Sequence, residues 1–585
     1  MPTENEVIVR VGGAAGEGGA STGESIAKLF SRHGLHTITY TSYQSAIRGG
    51  HNWIQIRGSP EKVYSQGDGL DLLLVLSSET ADIHYSKISP GGVILYNNEK
   101  IKNGENLVRQ DVKQLGIPAT EMGRKYGNLP IQNTILVGAL THLLGMKLDT
   151  LVSVIETIFG KKKSDIFKFN VEAAQEGYNY SQQNFQPLGK RMNYTFTPKL
   201  LMTGNNALAL GAVTAGCKFY SAYPMTPAST ILHWMAAHST KYSVLVKQGE
   251  DELAVVNMAI GAAHAGARAM CATSGGGFAL MSEAIGQAGM TETPVVIVES
   301  QRSGPATGLP TKTEQGDLLQ MLGAGQSDYP KIILAPRTVE ECFYTANEAF
   351  NLADKYQCPV IIASDLYLSE HFETVDSLNL DSVPIDRGLL FDGNGDGRDY
   401  KRYQFTESGI SPRAIPGQPD HMFVAPTDEH DENGVSISDV LCGIPKYVEI
   451  RARMMEKRMK KMEIAMQDMK APSLEGAKDA ELTLVGWGST QGPIKDAVLA
   501  LEQEGILVNS AQFKYLWPFP AEKCEQVLSQ CKKLLLVEGN YSGQFGLLLA
   551  ALTGIRIKEK LLKYDGEPIY PSEIVTKVKQ VIGHI

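Results

Sequence analysis

The sequence predicts an α/β protein of three domains with largely parallel sheets. Short apolar runs of strand length are followed by glycine-rich or polar turns and then by stretches of helical period, which marks strand–turn–helix units. Three such patterns begin near residues 7, 200 and 480, separated by segments of different composition. A chain of 585 residues is also too long for one core and suggests about three or four domains of ordinary size.

The first pattern occupies residues 1–180. Val7-Ile8-Val9-Arg10-Val11 reads as a buried strand, Gly12 to Gly19 as a glycine-rich loop, and Gly23 to His33, after Ser21-Thr22, as a helix. Strand, glycine-rich loop and helix open a Rossmann-like, nucleotide-binding-type unit. Leu72–Leu76 and Gly92–Tyr96 read as further strands. Residues 181–199, polar with Gln, Asn, Pro and Tyr, read as a linker. The second pattern, 200–385, has strand-like runs at Arg268–Ala272, Pro294–Glu299, Lys331–Ala335 and Pro359–Ser364 with helical stretches between them, which predicts a doubly wound parallel sheet. Residues 386–475 change character: two loops, around Asp392–Arg398 and Pro426–Gly434, precede a charged, Met-rich helix from Lys446 to Lys470. The third pattern, 476–585, has strands at Glu481–Val485 and Leu534–Glu538, with turns at Gly486–Thr490 and Gly539–Gly546.

Composition narrows the function. Lys plus Arg total 55 against 64 Asp plus Glu, a net charge of −9, which is a poor prior for nucleic-acid binding. No apolar run has the length of a membrane span, and residues 1–6 lack the basic and apolar regions of a signal peptide, so the expectation is a cytosolic protein that binds neither nucleic acid nor membrane. None of the seven cysteines falls in a C-x-x-C pair, which argues against an iron–sulfur cluster or a structural zinc within the chain. The run Glu429-His430-Asp431-Glu432 has metal-type side chains, but consecutive residues rarely all face one ion, and no metal is expected.

Four stretches carry candidate chemistry. Tyr223-Pro224-Met225-Thr226-Pro227-Ala228-Ser229 brackets Thr226 with prolines and so fixes a hydroxyl in place, with Ser229 or Thr230 available to cap a following helix. Glu250-Asp251-Glu252 then precedes a run of small residues from Ala259 to Gly266. Any of the three acids is a candidate, and spacing favours Glu252, nine residues before Gly261. Ala272 to Phe278 contains Ser274 and Gly275 in a turn whose three glycines let backbone approach a ligand closely. Ser300 to Lys312 is a long loop after a buried strand, and its Arg302 has the fork geometry to clamp a carboxylate. Each stretch alone also reads as an ordinary turn, a solvated helix-start carboxylate or a surface arginine. Together they suit a heteroaromatic cofactor beside a small anionic substrate. Two more clusters, the Gly12–Gly19 loop and Arg48-Gly49-Gly50-His51-Asn52, are weak by themselves.

The Tyr-Pro-x-Thr-Pro turn, with the loop Arg302-Ser303-Gly304-Pro305-Ala306-Thr307-Gly308-Leu309-Pro310-Thr311-Lys312, resembles the 2-oxoacid:ferredoxin oxidoreductases, in the form whose gamma and alpha parts are fused. The resemblance covers nearly the whole chain and implies the order gamma-type domain, thiamin-pyrimidine-binding domain, transketolase C-terminal-like domain. It departs from the family at Met225, where isoleucine is usual, and at Gly13-Ala14-Ala15-Gly16-Glu17-Gly18, where the gamma type has Gly-Gly-Gln-Gly. By the resemblance, Glu252 is similar to the glutamate that activates thiamin diphosphate through its aminopyrimidine ring, with Tyr223, Pro224, Ser274 and Gly275 around the cofactor. Thr226 and Arg302 would hold the substrate carboxylate. A beta subunit would hold the diphosphate, Mg2+ and a [4Fe–4S] cluster, in a dimer of heterodimers. A small 2-oxoacid, 2-oxoglutarate before pyruvate, would react with coenzyme A and pass electrons to ferredoxin, and reductive carboxylation, the reverse, is chemically open.

Two rival readings remain at this stage. A non-redox transketolase-like transferase would need a diphosphate-binding Gly-Asp-Gly, and Gly395-Asp396-Gly397 lacks the following strand–helix unit. A non-catalytic assembly subunit would have no use for the set Thr226, Glu252 and Arg302.

Overall fold

The computed structural model describes residues 5–44, 50–101, 109–127, 131–160, 164–189, 192–381, 383–392, 400–419, 421–437 and 444–583. Arg48, Gly49, Cys442 and the Gly395-Asp396-Gly397 run lie outside these described residues. The fold is α/β, with three sheets in which parallel pairing predominates, the first of them mixed. The chain divides into two compact units.

The first unit comprises Met1–Thr203 with Glu370–Ser377 and Tyr570–Ser572. Its eight-stranded sheet is built around the strand Val7–Ala14. On one side this strand pairs in parallel with Leu70–Val75, which pairs in parallel with Ile88–Asn97. On the other side it pairs antiparallel with His51–Ser59, and the rest of that half is antiparallel. Val9 and Val11 face a core with Phe30 and Ile54, whereas Ile8, Leu73 and Val75 face a second core on the opposite side. Burial on both faces is why these strands read as unbroken apolar runs.

The first helix spans Gly19–Arg32, four residues earlier than the sequence suggested. Gly18, at φ 82°, makes the turn as N-cap. Ser21 and Thr22 lie inside the helix and return their hydroxyls to the Gly18 carbonyl at 3.0 and 2.8 Å, a back-bond open to hydroxyl side chains within a helix. A long helix ends at Asn184, and the described residues from 185 to 199 carry neither helix nor strand. The strand Leu200–Thr203 then completes the first sheet through Phe372–Val375, so the second unit starts at Gly204.

The second unit comprises Gly204–Ser369, Leu378–Ile569 and Glu573–Ile585 and contains the other two sheets. In its seven-stranded sheet, Leu245–Gln248, Cys217–Ala222, Arg268–Thr273, Val295–Gln301, Pro359–Asp365 and Ile332–Leu334 lie side by side, all parallel. Tyr515–Trp517 adds an antiparallel edge. In the five-stranded sheet only Leu474–Gly476 runs antiparallel to its neighbour. One hydrophobic core joins residues of both sheets, Ile297 and Ile361 with Trp487, Phe513 and Phe545.

The helix Pro445–Asp468 buries three of its charged side chains, Lys457, Arg458 and Lys461. Lys457 and Lys461 are buried and both reach the buried carboxylate of Glu292, Lys457 at 2.6 Å. Burial pushes the Lys457 ammonium down to about 7 against the attraction of Glu292. Arg458 grips Glu429 with two bonds of 2.9 and 2.7 Å. His430 packs against Tyr403 with ring centroids 4.1 Å apart, and Asp431 accepts the Asn433 and Val435 amides. These side chains fix a loop. Among the described residues no group of three His, Cys, Asp or Glu side chains is placed to hold a metal ion, and no helix is long and apolar enough to cross a membrane.

Candidate active site

The four candidate stretches are far apart in sequence but leave the same edge of the seven-stranded sheet. Tyr223 follows the strand Cys217–Ala222, Glu252 follows Leu245–Gln248, Ser274 follows Arg268–Thr273, and Arg302 follows Val295–Gln301. These four strands are consecutive neighbours and parallel, so their carboxyl ends form one row. Parallel α/β sheets place ligands there, because the helices that follow begin at that edge and present unpaired N–H groups. Three such helices start here: Ser229–Tyr242, Glu252–His264 and Gly275–Met290.

The Tyr223–Ser229 turn is held from below. Asn205, fully buried, donates to the Pro227 carbonyl at 2.9 Å and to the Thr230 hydroxyl at 2.7 Å. The Thr226–Pro227 peptide is cis. Tyr223 and Pro224 are exposed and Thr226 is half-buried. Neither Ser229 nor Thr230 caps the helix: Ala228 is the N-cap, and the Thr230 hydroxyl turns back toward the Pro227 carbonyl at 3.4 Å. Arg302 crosses to this turn and donates from Nη1 to the Thr226 carbonyl at 2.8 Å. The two expected carboxylate-binding residues are therefore neighbours.

The structure separates the three acids. Glu250 is exposed. Asp251 is the helix N-cap and accepts the Ala254 amide at 2.7 Å. Glu252 is the first helical residue, 4% exposed, and its Oε1 is buried with no hydrogen-bond partner. The helix N-terminus favours its negative charge. A buried carboxylate oxygen without a donor costs about 1–3 kcal/mol, so such an atom is retained where it has a task.

The Ser274–Gly277 turn packs against this carboxylate. Ser274 is the N-cap of its helix, buried, and its hydroxyl has no partner. A Cβ on Gly277 would lie 2.5 Å from Glu252 Cγ and 2.1 Å from Thr273 Oγ1. Thr273 in turn points its hydroxyl at Met225 Sδ, 3.7 Å away, which ties this turn to the first one. Gly277→Ala is accordingly expected to displace Glu252 and to cost about 1–3 kcal/mol of stability through overpacking. A thermal melt and a thiamin diphosphate titration of the variant check this, the expected result being weaker cofactor binding.

Sequence reasoning missed Asn205, which lies in an otherwise apolar helix, and a group of acids behind the Ser274 turn formed by Glu299, Asp317 and Asp365. The polar Asn within Gly204–Thr214 was a usable signal.

The residues present fit a thiamin-type cofactor. An acceptor oxygen without a donor stands at a helix start, and the glycine cradle beside it would be filled by a single Cβ. Comparison with known proteins agrees. A family model described as pyruvate flavodoxin/ferredoxin oxidoreductase, thiamine diphosphate-binding, matches residues 210–446, which include every candidate site residue. Models described as pyruvate ferredoxin/flavodoxin oxidoreductase and as its core domain II match residues 8–180 and 480–574. Similar proteins include the alpha subunit of 2-oxoacid:ferredoxin oxidoreductase 2 of Aeropyrum pernix, 32% identical over 99% of this chain and 98% of its own. Another is the 2-oxoglutarate oxidoreductase subunit KorA of Mycobacterium tuberculosis, 30% identical over 93% of this chain and 86% of its own. A solved 2-oxoglutarate:ferredoxin oxidoreductase from Magnetococcus marinus, with 2-oxoglutarate, coenzyme A and succinyl-CoA bound, superposes with a TM-score of 0.92 at 34% identity, covering 99% of this chain and 100% of that one.

Proposed function

Because the chain belongs to the 2-oxoacid:ferredoxin oxidoreductase family, as an alpha subunit of a thiamin-diphosphate enzyme, we propose that it converts 2-oxoglutarate, coenzyme A and oxidised ferredoxin to succinyl-CoA, CO2 and reduced ferredoxin. The observation that carries the reading is the buried, unpartnered Oε1 of Glu252 at the carboxyl edge that also bears Thr226 and Arg302. The names of relatives, KorA among them, and the 2-oxoglutarate bound in the Magnetococcus marinus enzyme support this substrate. The family models are described for pyruvate, which makes pyruvate the second candidate.

When bound, thiamin diphosphate supplies an electron sink for breaking the bond between the 2-oxo carbon and its carboxylate. The chain's own residues act around it. Glu252 would hold the aminopyrimidine ring through its buried, unpartnered Oε1 and would serve there as the acid–base group, in a dry site where such a bond is strong. Tyr223, Pro224, Ser274 and Gly275 would bound the pyrimidine, with the unpartnered Ser274 hydroxyl available as donor or acceptor. Arg302 and the Thr226 hydroxyl orient the substrate carboxylate, and the Thr226 carbonyl fixes the guanidinium for that task.

As an alpha subunit the chain works with a beta subunit. That partner would hold the cofactor's diphosphate with Mg2+ and a [4Fe–4S] cluster that passes two electrons singly to ferredoxin, in a dimer of heterodimers. None of the six described cysteines forms a disulfide and five are buried, which supports a reducing, cytoplasmic setting.

The test is viologen or ferredoxin reduction by the chain co-expressed with its beta subunit, with coenzyme A and either oxoacid. Thiamin-dependent reduction with 2-oxoglutarate and little with pyruvate is expected. Equal rates would mean a broad 2-oxoacid enzyme, and no reduction with either would end the redox reading.

A further inference from the structure

Behind the Ser274 turn lies a buried carboxyl group outside the set Thr226, Glu252 and Arg302. Glu299 lies in mid-sheet, its backbone in register between Thr273 and Ala363, and it is fully buried. Neither carboxyl oxygen meets an N–H or O–H donor. The ionisable groups facing it are Asp317 and Asp365. Asp365 is committed to the Leu368 amide at 3.0 Å, whereas Asp317 is within hydrogen-bond reach of Glu299. Asp317 also abuts the cofactor turn: a Cβ on Gly275 would stand 2.4 Å from its Oδ2. Its amide donates to the Gln301 side chain at 3.0 Å, immediately before Arg302. The charges facing Asp317 are Arg302, Glu299 and Glu314.

An ionised carboxylate in that position would be a buried charge with no donor and two acids beside it, which is among the costliest arrangements in a protein. A protonated carboxyl there has one O–H to give, and a carboxylate within reach to take it. We infer that Glu299 keeps its proton at neutral pH and donates it to Asp317, and that this singly charged pair positions Arg302 for the substrate carboxylate. Burial, and then the charge of Asp317, hold the Glu299 carboxyl well above the usual carboxylate range. Burial also raises Asp317, against the pull of its hydrogen bond to Glu299 and of Arg302. One negative charge balances the guanidinium while leaving it attractive to an anion. Two would give the cluster a net negative charge that repels the substrate, and none would leave the guanidinium held by the Thr226 carbonyl alone. Glu299 and Asp317 are thus positioning residues, and the inference rests on the reading of Arg302 as the substrate clamp.

The test uses the complex with its beta subunit, and two variants, Glu299→Gln and Asp317→Asn. Asp317→Asn is expected to raise KM for 2-oxoglutarate about tenfold, one pK unit's worth of interaction, with a smaller change in kcat. Wild-type KM should climb on the alkaline side as the pair loses its proton, while KM of Glu299→Gln stays flat there. Stability gives a second readout. Unfolded, Glu299 ionises near 4.5; folded, it does so far higher. Between those values folding takes up a proton, so this group's contribution to stability falls as pH rises. Glutamine removes that dependence, so Glu299→Gln should melt above wild type at about pH 8 and lose the advantage near pH 4. A Glu299→Gln melting point below wild type at both pH values, or wild-type and Glu299→Gln KM values rising in parallel with pH, would overturn the inference. If Arg302→Ala leaves KM unchanged, the clamp reading fails and with it the positioning role, while the melts still decide whether Glu299 is protonated.

Discussion

Replacing Glu252 by glutamine is expected to slow turnover by about 10²–10⁴-fold, the usual worth of a positioned acid–base group. The effect on folding should be opposite in sign or absent. Glu252 Oε1 has no donor in the chain, so the carboxylate contributes desolvation cost rather than a bond. Glutamine keeps the shape at the start of the helix Glu252–His264 and removes the buried charge. A melting temperature at or above wild type, with turnover largely lost, is the pattern of a residue kept for chemistry. The same substitution at Glu250, which is exposed, should leave turnover near wild type. Substitution of Asp251 should act through stability, because its loss removes the N-cap bond to Ala254, typically worth about 1 kcal/mol. Turnover and melting measured on the three variants separate these roles.

Arg302→Ala is expected to lower kcat/KM for the 2-oxoacid by about 10²-fold or more, since each charge-assisted hydrogen bond is worth about 1.5–3 kcal/mol. Two contributions add. The substrate loses a fork of donors, and the Thr226 carbonyl loses the 2.8 Å bond that ties the two strand ends together. Lysine should restore little, because an ammonium cannot hold the carbonyl and present a planar pair of donors at once. Steady-state kinetics at saturating coenzyme A show whether the loss lies in KM, as for a ground-state clamp, or in kcat.

Three of the four stretches were legible because their backbone-special residues stand out: the prolines around Thr226, which restrict the chain, and the glycines after Ser274 and the Gly-Pro-rich loop after Arg302, which allow close approach. Their convergence was not legible, because it depends on strand order. The edge strand Leu245–Gln248, which carries Glu252 to the site, is short, largely exposed and half polar, and gives no strand signal. The choice among Glu250, Asp251 and Glu252 depends on which residue starts the helix, and helix boundaries are the weakest part of any pattern reading. Glu299 ends the apolar run from Pro294 in sequence, and nothing there ties it to Asp317 across the loop. Nothing in sequence marks Lys457 and Lys461 within the charged helix, since only the fold brings the buried Glu292, at φ 51°, against them. At Glu299 and at Glu292 with its lysines, a charge that looks ordinary in sequence is buried by a distant element.

The most direct test of the central claim, that Glu252 of this chain activates thiamin diphosphate, is the rate at which the cofactor's C2 proton exchanges with deuterated water in the assembled complex, without substrate. Exchange slowed by about 10²-fold or more in Glu252→Gln, with the cofactor still bound, is the expected result. Exchange at the wild-type rate in that variant would contradict it and return the buried carboxylate to a structural role.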